Sequence, residues 1–273
     1  MKKFIIPVLS FVALMGTTRT EAQNNTPLKQ GRVVYQQLSK GGKSTVTVNG
    51  VKQVFDRPDR TQKIELLFTA DQSLRRFVEE EDRPETEMAG PGGMGTVRFV
   101  STFSPDVAVY HNFTAGKKVE QRESAGKKFL IQDSITKNNW KLTGETKTIL
   151  GYTCQKAITQ ATFKSFNMQM TDGEMKRTEK VDTMNVIVWF TPAISIPAGP
   201  EYQGQLPGLI LETESRNGSV VCTAVEISPN VKVEEIKEPK SGKKITKAEY
   251  EKEVDELQKQ MMERGSMPAR TRF

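Results

Sequence analysis

The stretch Gly208-Leu209-Ile210-Leu211-Glu212-Thr213-Glu214-Ser215-Arg216-Asn217-Gly218-Ser219-Val220-Val221-Cys222-Thr223-Ala224-Val225 decides the fold class. Two runs of strand-forming residues flank Asn217-Gly218, a pair suited to a two-residue hairpin turn because both central positions need positive φ. Pairing back from that turn sets Thr213 opposite Cys222 and Leu211 opposite Ala224. Cys222 then shares a face with Leu209 and Leu211, and that apolar face requires further strands to cover it.

Such strands are legible on the upstream side. Tyr152 to Ile158 and Val186 to Phe190 read as extended, as do Lys63 to Thr69, Leu74 to Val78, Thr96 to Phe103 and Ala108 to Phe113. Gln121 to Ile131 and Trp140 to Leu142 are further extended segments. Val46 and Val48 alternate with threonines before Asn49-Gly50, a second turn pair, and Val51 to Phe55 form the partner strand. Glu79 to Gly95 is rich in glutamate, glycine and proline and predicts a mobile surface loop.

One helix is predicted, at the end. Thr246-Lys247-Ala248-Glu249 is a capping box, and Tyr250, Val254, Leu257 and Met261 follow as one apolar stripe. Acids crowd the first half of this helix and Lys259 and Arg264 its last turns, as the helix dipole prefers, with Gly265 as the stop. Glu235 to Lys244 reads as a polar linker. The organisation expected is a signal peptide at 1–22, a β-rich domain at 23–240, and a polar linker with the helix at 241–273.

The signal peptide reading rests on Lys2 and Lys3, the apolar run Phe4 to Met15, and small residues at Thr20 and Ala22 before a cleavage point. The run is shorter than the ~20 apolar residues of a membrane span. No other segment is apolar enough, so the chain is expected not to span a membrane once the signal is removed. Export follows. The net charge of +7 is spread among 33 acids with no basic block. That pattern excludes nucleic acid as the expected partner. Two cysteines, Cys154 and Cys222, occur in an oxidising compartment, and a disulfide between them is the expectation, stabilising by about 4 kcal/mol through loop closure. Two free thiols, or a redox pair without Cys-x-x-Cys spacing to support it, are the alternatives.

Three blocks carry a family resemblance. They are Gly151-Tyr152-Thr153-Cys154-Gln155-Lys156-Ala157, then Val188-Trp189-Phe190-Thr191-Pro192 with Gly199-Pro200 soon after, and Leu206-Pro207-Gly208-Leu209-Ile210-Leu211-Glu212. Together they resemble the GLPGLI family of exported Bacteroidota proteins, a resemblance that implies the periplasm or the cell surface or exterior of a Gram-negative bacterium as the location. Gln205 stands where the family name has its first glycine, with Gly204 one place earlier, and the likeness runs over residues 31 to 264. The family has no settled activity. The resemblance also implies kinship with the bowl-like N-terminal domain of some secreted peptide-N-glycosidases, which keep their catalytic residues elsewhere. The fold expected on that basis is mainly β, a curved antiparallel sheet of half-barrel or bowl-like form, with the C-terminal amphipathic helix across it. Residues of the three blocks are expected to be scaffold: Pro207 and Gly208 turn the chain, and Trp189 and Phe190 wall the core.

Candidate chemistry is sparse. His111 is the one histidine and lacks a Gly-x-Ser-x-Gly elbow, so no catalytic residue is assigned and a histidine-rich zinc site is excluded. Gly90-Pro91-Gly92-Gly93-Met94-Gly95 matches a dinucleotide fingerprint only literally, without a preceding strand. Met168, Met170, Met175 and Met184 could meet Cu(I) but read as core filling. Glu79-Glu80-Glu81-Asp82 lacks the alternating spacing of a calcium loop, and no cofactor is expected. Ser134 in Asp133-Ser134-Ile135 and Thr183 in Asp182-Thr183-Met184 resemble Bacteroidota O-glycosylation acceptors. The expected function is a non-catalytic binding or interaction module whose partner is an envelope protein or a glycan. Carriage of a lipid or other apolar ligand in the concavity of the sheet is the alternative, and a hydrolase using Glu212 or Asp133 ranks last.

Overall fold

The computed structural model describes residues 28–48, 51–78, 87–89, 96–98, 107–124, 126–171 and 174–265. The chain opens with β1 (Gln30–Ser39), β2 (Gly42–Val48), β3 (Val51–Arg57), β4 (Arg60–Thr69) and β5 (Gln72–Val78). A short pair, β6 (Glu87–Ala89) and β7 (Thr96–Arg98), is followed by β8 (Ala108–Asn112), β9 (Lys117–Ser124), β10 (Lys127–Ser134) and β11 (Lys141–Ile149). Two long strands come next, β12 (Tyr152–Thr171) and β13 (Glu174–Thr191), then β14 (Leu209–Ser215), β15 (Val220–Ser228), β16 (Lys243–Thr246) and helix α1 (Lys247–Gly265).

Fourteen strands join in one sheet, in the order β16-β10-β9-β8-β5-β4-β1-β15-β14-β13-β12-β2-β3, with β11 beside β12. The sheet is not closed, and the fold is mainly β with one C-terminal helix, as expected. Pairing is antiparallel except for β16 on β10 and β2 on β12, which run parallel, so the sheet is mixed. The largest core cluster includes Tyr35, Ile64, Leu66, Phe68, Leu209 and Leu211. A second gathers Ala157, Val186, Val188, Phe190, Leu206 and Ile210.

The hairpin that decides the fold class has the expected turn. Asn217 and Gly218 take φ of 54° and 75°, and the Ser219 amide donates to the Arg216 carbonyl at 3.2 Å. Thr213 pairs with Cys222 as expected, and the β14–β15 ladder ends at Glu212–Thr223; along its other edge β15 pairs with β1, with Ala224 opposite Tyr35. Leu211 is left as the extra residue of a bulge, because Trp189 pairs with Glu212 and Phe190 with Ile210. At the other turn, Val48 pairs with Val51, although Asn49 and Gly50 lie outside the described residues.

Other expectations need correction. Part of the Glu79 to Gly95 segment, Glu87–Ala89, forms a strand pair with Thr96–Arg98. The remainder, including Glu79 to Asp82 and Gly90 to Gly95, lies outside the described residues, as does the 1–22 segment. Gln121 to Ile131 is two strands, not one. The expected disulfide is not formed: Cys154 on β12 and Cys222 on β15 are free, buried thiols with β13 and β14 between them. Three strand spacings of about 4.8 Å exceed the ~7 Å between Cα atoms that a bridge can span.

The stretch read as a polar linker is tied down. Ile236 is buried with Leu67, Leu74 and Tyr110, Glu235 binds Arg76 at 2.9 Å, and Glu238 binds Lys117 at 2.8 Å. Ile245 of β16 then packs with Phe129 and Ile131. The capping box forms as expected: the Thr246 amide donates to Glu249 Oε2 at 2.8 Å, and the Glu249 amide donates to Thr246 Oγ1 at 3.3 Å. Tyr250 meets the Phe129 ring edge-on at 5.3 Å, which seats α1 against the β10–β16 edge of the sheet. No helix among the described residues is long and apolar enough to cross a membrane.

Candidate functional site

The site is built by register across four neighbouring strands. Ser73 of β5 pairs with His111 of β8, His111 with Lys118 of β9, and Lys118 with Asp133 of β10. One rung along, Arg75 pairs with Val109, and Val109 with Glu120. Side chains directly opposite share a face, and residues two apart on a strand share it too. These polar residues therefore form one face. The opposite face carries Leu74 and Tyr110 and is covered by Ile236.

The polar face is roofed by the long connection from β13 to β14. Ile194, Ile196 and Ala198 are buried in the main core. The Leu209 amide donates to the Ile194 carbonyl and the Ile210 amide to that of Ala198, both at 2.9 Å. Gly208 permits the return into β14: a Cβ there would stand 2.2 Å from the Thr191 carbonyl oxygen. With its base fixed, the loop docks through Gln203, which is 2% exposed and accepts a hydrogen bond from Ser73 Oγ. Gln205 Oε1 accepts from the Asn138 amide at 3.1 Å and from Trp140 Nε1 at 3.0 Å. Tyr202 meets the Trp140 ring edge-on at 5.4 Å. Its φ of 55° is an uncommon, strained setting for an aromatic residue.

Between roof and strands lies a cavity of about 300 Å³, lined among others by Arg75, His111, Glu120, Tyr202 and Gln203. Three buried side-chain polar atoms among the described residues have no hydrogen-bond partner: Arg75 Nε, His111 Nδ1 and Gln203 Nε2. All three belong to residues that line this one cavity. An unsatisfied buried polar atom costs about 1–3 kcal/mol, and three around one space single it out as the candidate site.

The electrostatics are specific. Burial, with Lys118 adding to it, pushes the His111 imidazole down to about 3, so it is neutral at physiological pH. Burial opposes ionisation of Glu120, but Arg122 and Lys118 outweigh it and hold the carboxyl below its usual range. Lys118 Nζ lies 3.2 Å from Glu120, which Arg122 Nε also contacts. Arg75 sits over the Phe77 ring at 4.9 Å and makes no ion pair with a described residue.

Of the residues singled out in the sequence, His111, Asp133 and Ser134 come together at this cavity. Ser134 is exposed, as is Thr183, which lies far along β13. Glu212 is elsewhere, bound to Lys147 at 2.6 Å and to Thr223 Oγ1 at 3.2 Å. Beside it the Trp189 ring receives Lys147 at 4.4 Å and Lys156 at 5.7 Å, so the three family blocks meet in a packed cluster. The strands carrying Met168, Met170 and Met175 are paired, while those side chains lie outside the described part. Arg75, Lys118, Glu120, Tyr202 and Gln203 were not anticipated. The one signal for them was the alternation in Lys118-Val119-Glu120-Gln121-Arg122, charged residues two apart on one strand face.

Comparison with known proteins finds a family match over part of the chain and two structural similarities. Residues 140–212 match the family described as protein of unknown function (Porph_ging). No curated protein matches the chain. Among solved structures, PNGF-II in its C2 form shows 18% identity and a TM-score of 0.49, covering 82% of this chain and 32% of PNGF-II. The P21 form of PNGF-II gives 17% identity and the same TM-score, covering 83% of this chain and 33% of its own. The chain thus spans about a third of the length of PNGF-II. The matched segment contains all three sequence blocks and the cavity roof from Pro192 to Leu206, so the similarity to this family of unknown function covers the part of the chain that closes over the cavity.

Proposed function

We propose that this protein is an exported, non-catalytic binding module that takes the end group of a glycan into the cavity beneath the Pro200–Gln205 loop. The carrying observation is the convergence of Arg75 Nε, His111 Nδ1 and Gln203 Nε2, unpartnered and buried, on one cavity. A volume of about 300 Å³ is at the small end for ligand pockets and suits one sugar ring. Hydroxyl groups both donate and accept, so a saccharide can satisfy a guanidinium, an amide and an imidazole together. Tyr202 adds an aromatic wall of the kind that packs on a sugar's apolar face.

A binding role is favoured over hydrolysis because His111 stays neutral while Arg122 and Lys118 hold Glu120 ionised, so neither of these two is poised as a general acid. The apolar-ligand alternative has charged walls where it needs apolar ones. The space of about 470 Å³ between α1 and the sheet edge is lined by Lys127, Lys243, Lys252 and Glu253 among others. The signal-like 1–22 segment supports export, and Ser134 and Thr183, both exposed, are proposed as O-glycosylation acceptors.

Isothermal titration against a panel of mono- and disaccharides tests the reading. Binding by the unmodified protein and its loss in Gln203→Leu, with the melting temperature of that variant checked separately, is the expected result. Absence of binding to every saccharide overturns it.

A further inference from the structure

Resting on the saccharide reading, we propose that the ligand is an acidic sugar whose carboxylate is held by Arg75. The charges around the cavity single out this residue. Lys118 and Arg122 both lie against Glu120, which is 7% exposed, so each has a carboxylate partner within the protein. Arg75 has the face of Phe77 beneath it and no ion pair with a described residue, while its Nε is buried beside the cavity without a hydrogen-bond partner. A buried guanidinium N–H without an acceptor is costly, and a carboxylate is the group that satisfies it best, in a two-pronged, charge-assisted contact.

The flanking groups agree with a carboxylate. His111 is 6% exposed and Gln203 is 2% exposed, and each has its unpartnered nitrogen at the same cavity. Ser73 occupies Gln203 Oε1, which turns the amide NH₂ toward the cavity as a donor. His111 is neutral and can donate from Nδ1. Two N–H donors and a neutral imidazole around one cation form a cradle for acceptor oxygens. Neighbouring acids Asp133 and Glu201 also line the cavity. They disfavour ligands bearing several negative charges and leave a single carboxylate as the best match. A ligand hydroxyl alone would leave the guanidinium charge uncompensated.

The test uses the full chain and three soluble probes: methyl β-glucuronide, its methyl ester, and methyl β-glucoside. Titration of the unmodified protein should show the glucuronide binding roughly tenfold or more tightly than the ester or the glucoside. That preference should weaken with added salt. Arg75→Gln should abolish the preference while leaving weak binding of the neutral glucoside, and Arg75→Lys should restore only part of it. Equal affinity for all three probes overturns the carboxylate inference and leaves the saccharide reading standing. Binding to none of the three, and to no uronate or neutral sugar of a wider panel, overturns both. Because the acid and its ester are compared on the unmodified protein, a variant that fails to fold does not compromise the result.

Discussion

Ser73 on β5 donates its hydroxyl to Gln203, 130 positions away in the β13–β14 connection, and both residues are shut off from solvent. This bond ties the roof of the cavity to its floor. It also joins the C-terminal half of the sheet, where the family blocks lie, to the half that carries Arg75 and His111.

Removing the Ser73 hydroxyl should therefore cost more than one surface hydrogen bond. Ser73→Ala leaves Gln203 Oε1 buried without its partner, a loss of about 1–3 kcal/mol. Urea unfolding should show that decrease, and saccharide affinity should fall in parallel as the Gln203 amide loses its orientation. An unchanged midpoint would show that Ser73 does not brace the roof.

The thiols give a second test. Burial pushes Cys154 up to about 11 and Cys222 up to about 12, so neither is a thiolate at neutral pH. The native protein should resist a thiol reagent, two thiols per chain should react in denaturant, and a reductant should leave the melting temperature unchanged. A mass two hydrogens light before reduction would contradict the free-thiol state.

Acid stability should carry the mark of His111. The unfolded chain binds a proton near 6.5, whereas the folded protein resists it down to about 3. Stability is thus fully present above 6.5 and declines as pH falls through that window, by on the order of 4 kcal/mol at its lower end. Glu65 and Glu120 add to this only below their ordinary value of 4.5, because Arg32 and Arg76, and Arg122 and Lys118, overcome the opposing burial and depress them. In His111→Gln the decline between pH 6.5 and 4.5 should flatten while the steeper loss below it remains. A decline of the same slope in the variant would remove His111 as its source.

Gly208 should be intolerant of any side chain. A Cβ at that position stands 2.2 Å from the Thr191 carbonyl oxygen, and the surrounding backbone cannot give way cheaply. Gly208→Ala should destabilise by more than about 2 kcal/mol, measured by denaturant unfolding, and a near-neutral outcome would contradict the packing described for this turn.

Particular residues show what the sequence made legible. Asn217-Gly218 announced its turn because few other pairs accept two positive φ values, and Thr246 with Glu249 announced the helix start because the cap is local. The bulge at Leu211 was not legible, because it arises from pairing with β13 and has no local signature. β16 was hidden inside a polar stretch because its place depends on a parallel neighbour, β10, more than a hundred residues earlier. Cys154 and Cys222 were paired by reasoning from compartment, whereas strand order keeps them apart. The candidate site was the least legible part. Arg75, His111 and Glu120 look unremarkable until the register of β5, β8 and β9 sets them on one face, and Gln203 matters only because the loop folds over them.

The most direct test of the central claim follows from His111 being the one histidine of the chain. In protein labelled with ¹⁵N at histidine and carrying no affinity tag, a long-range proton–nitrogen spectrum reports a single imidazole. Titration with saccharides should move the Nδ1 resonance in a saturable way, because that nitrogen faces the cavity without a protein partner. An Nδ1 resonance that stays fixed through the whole saccharide panel would contradict the cavity as a glycan site.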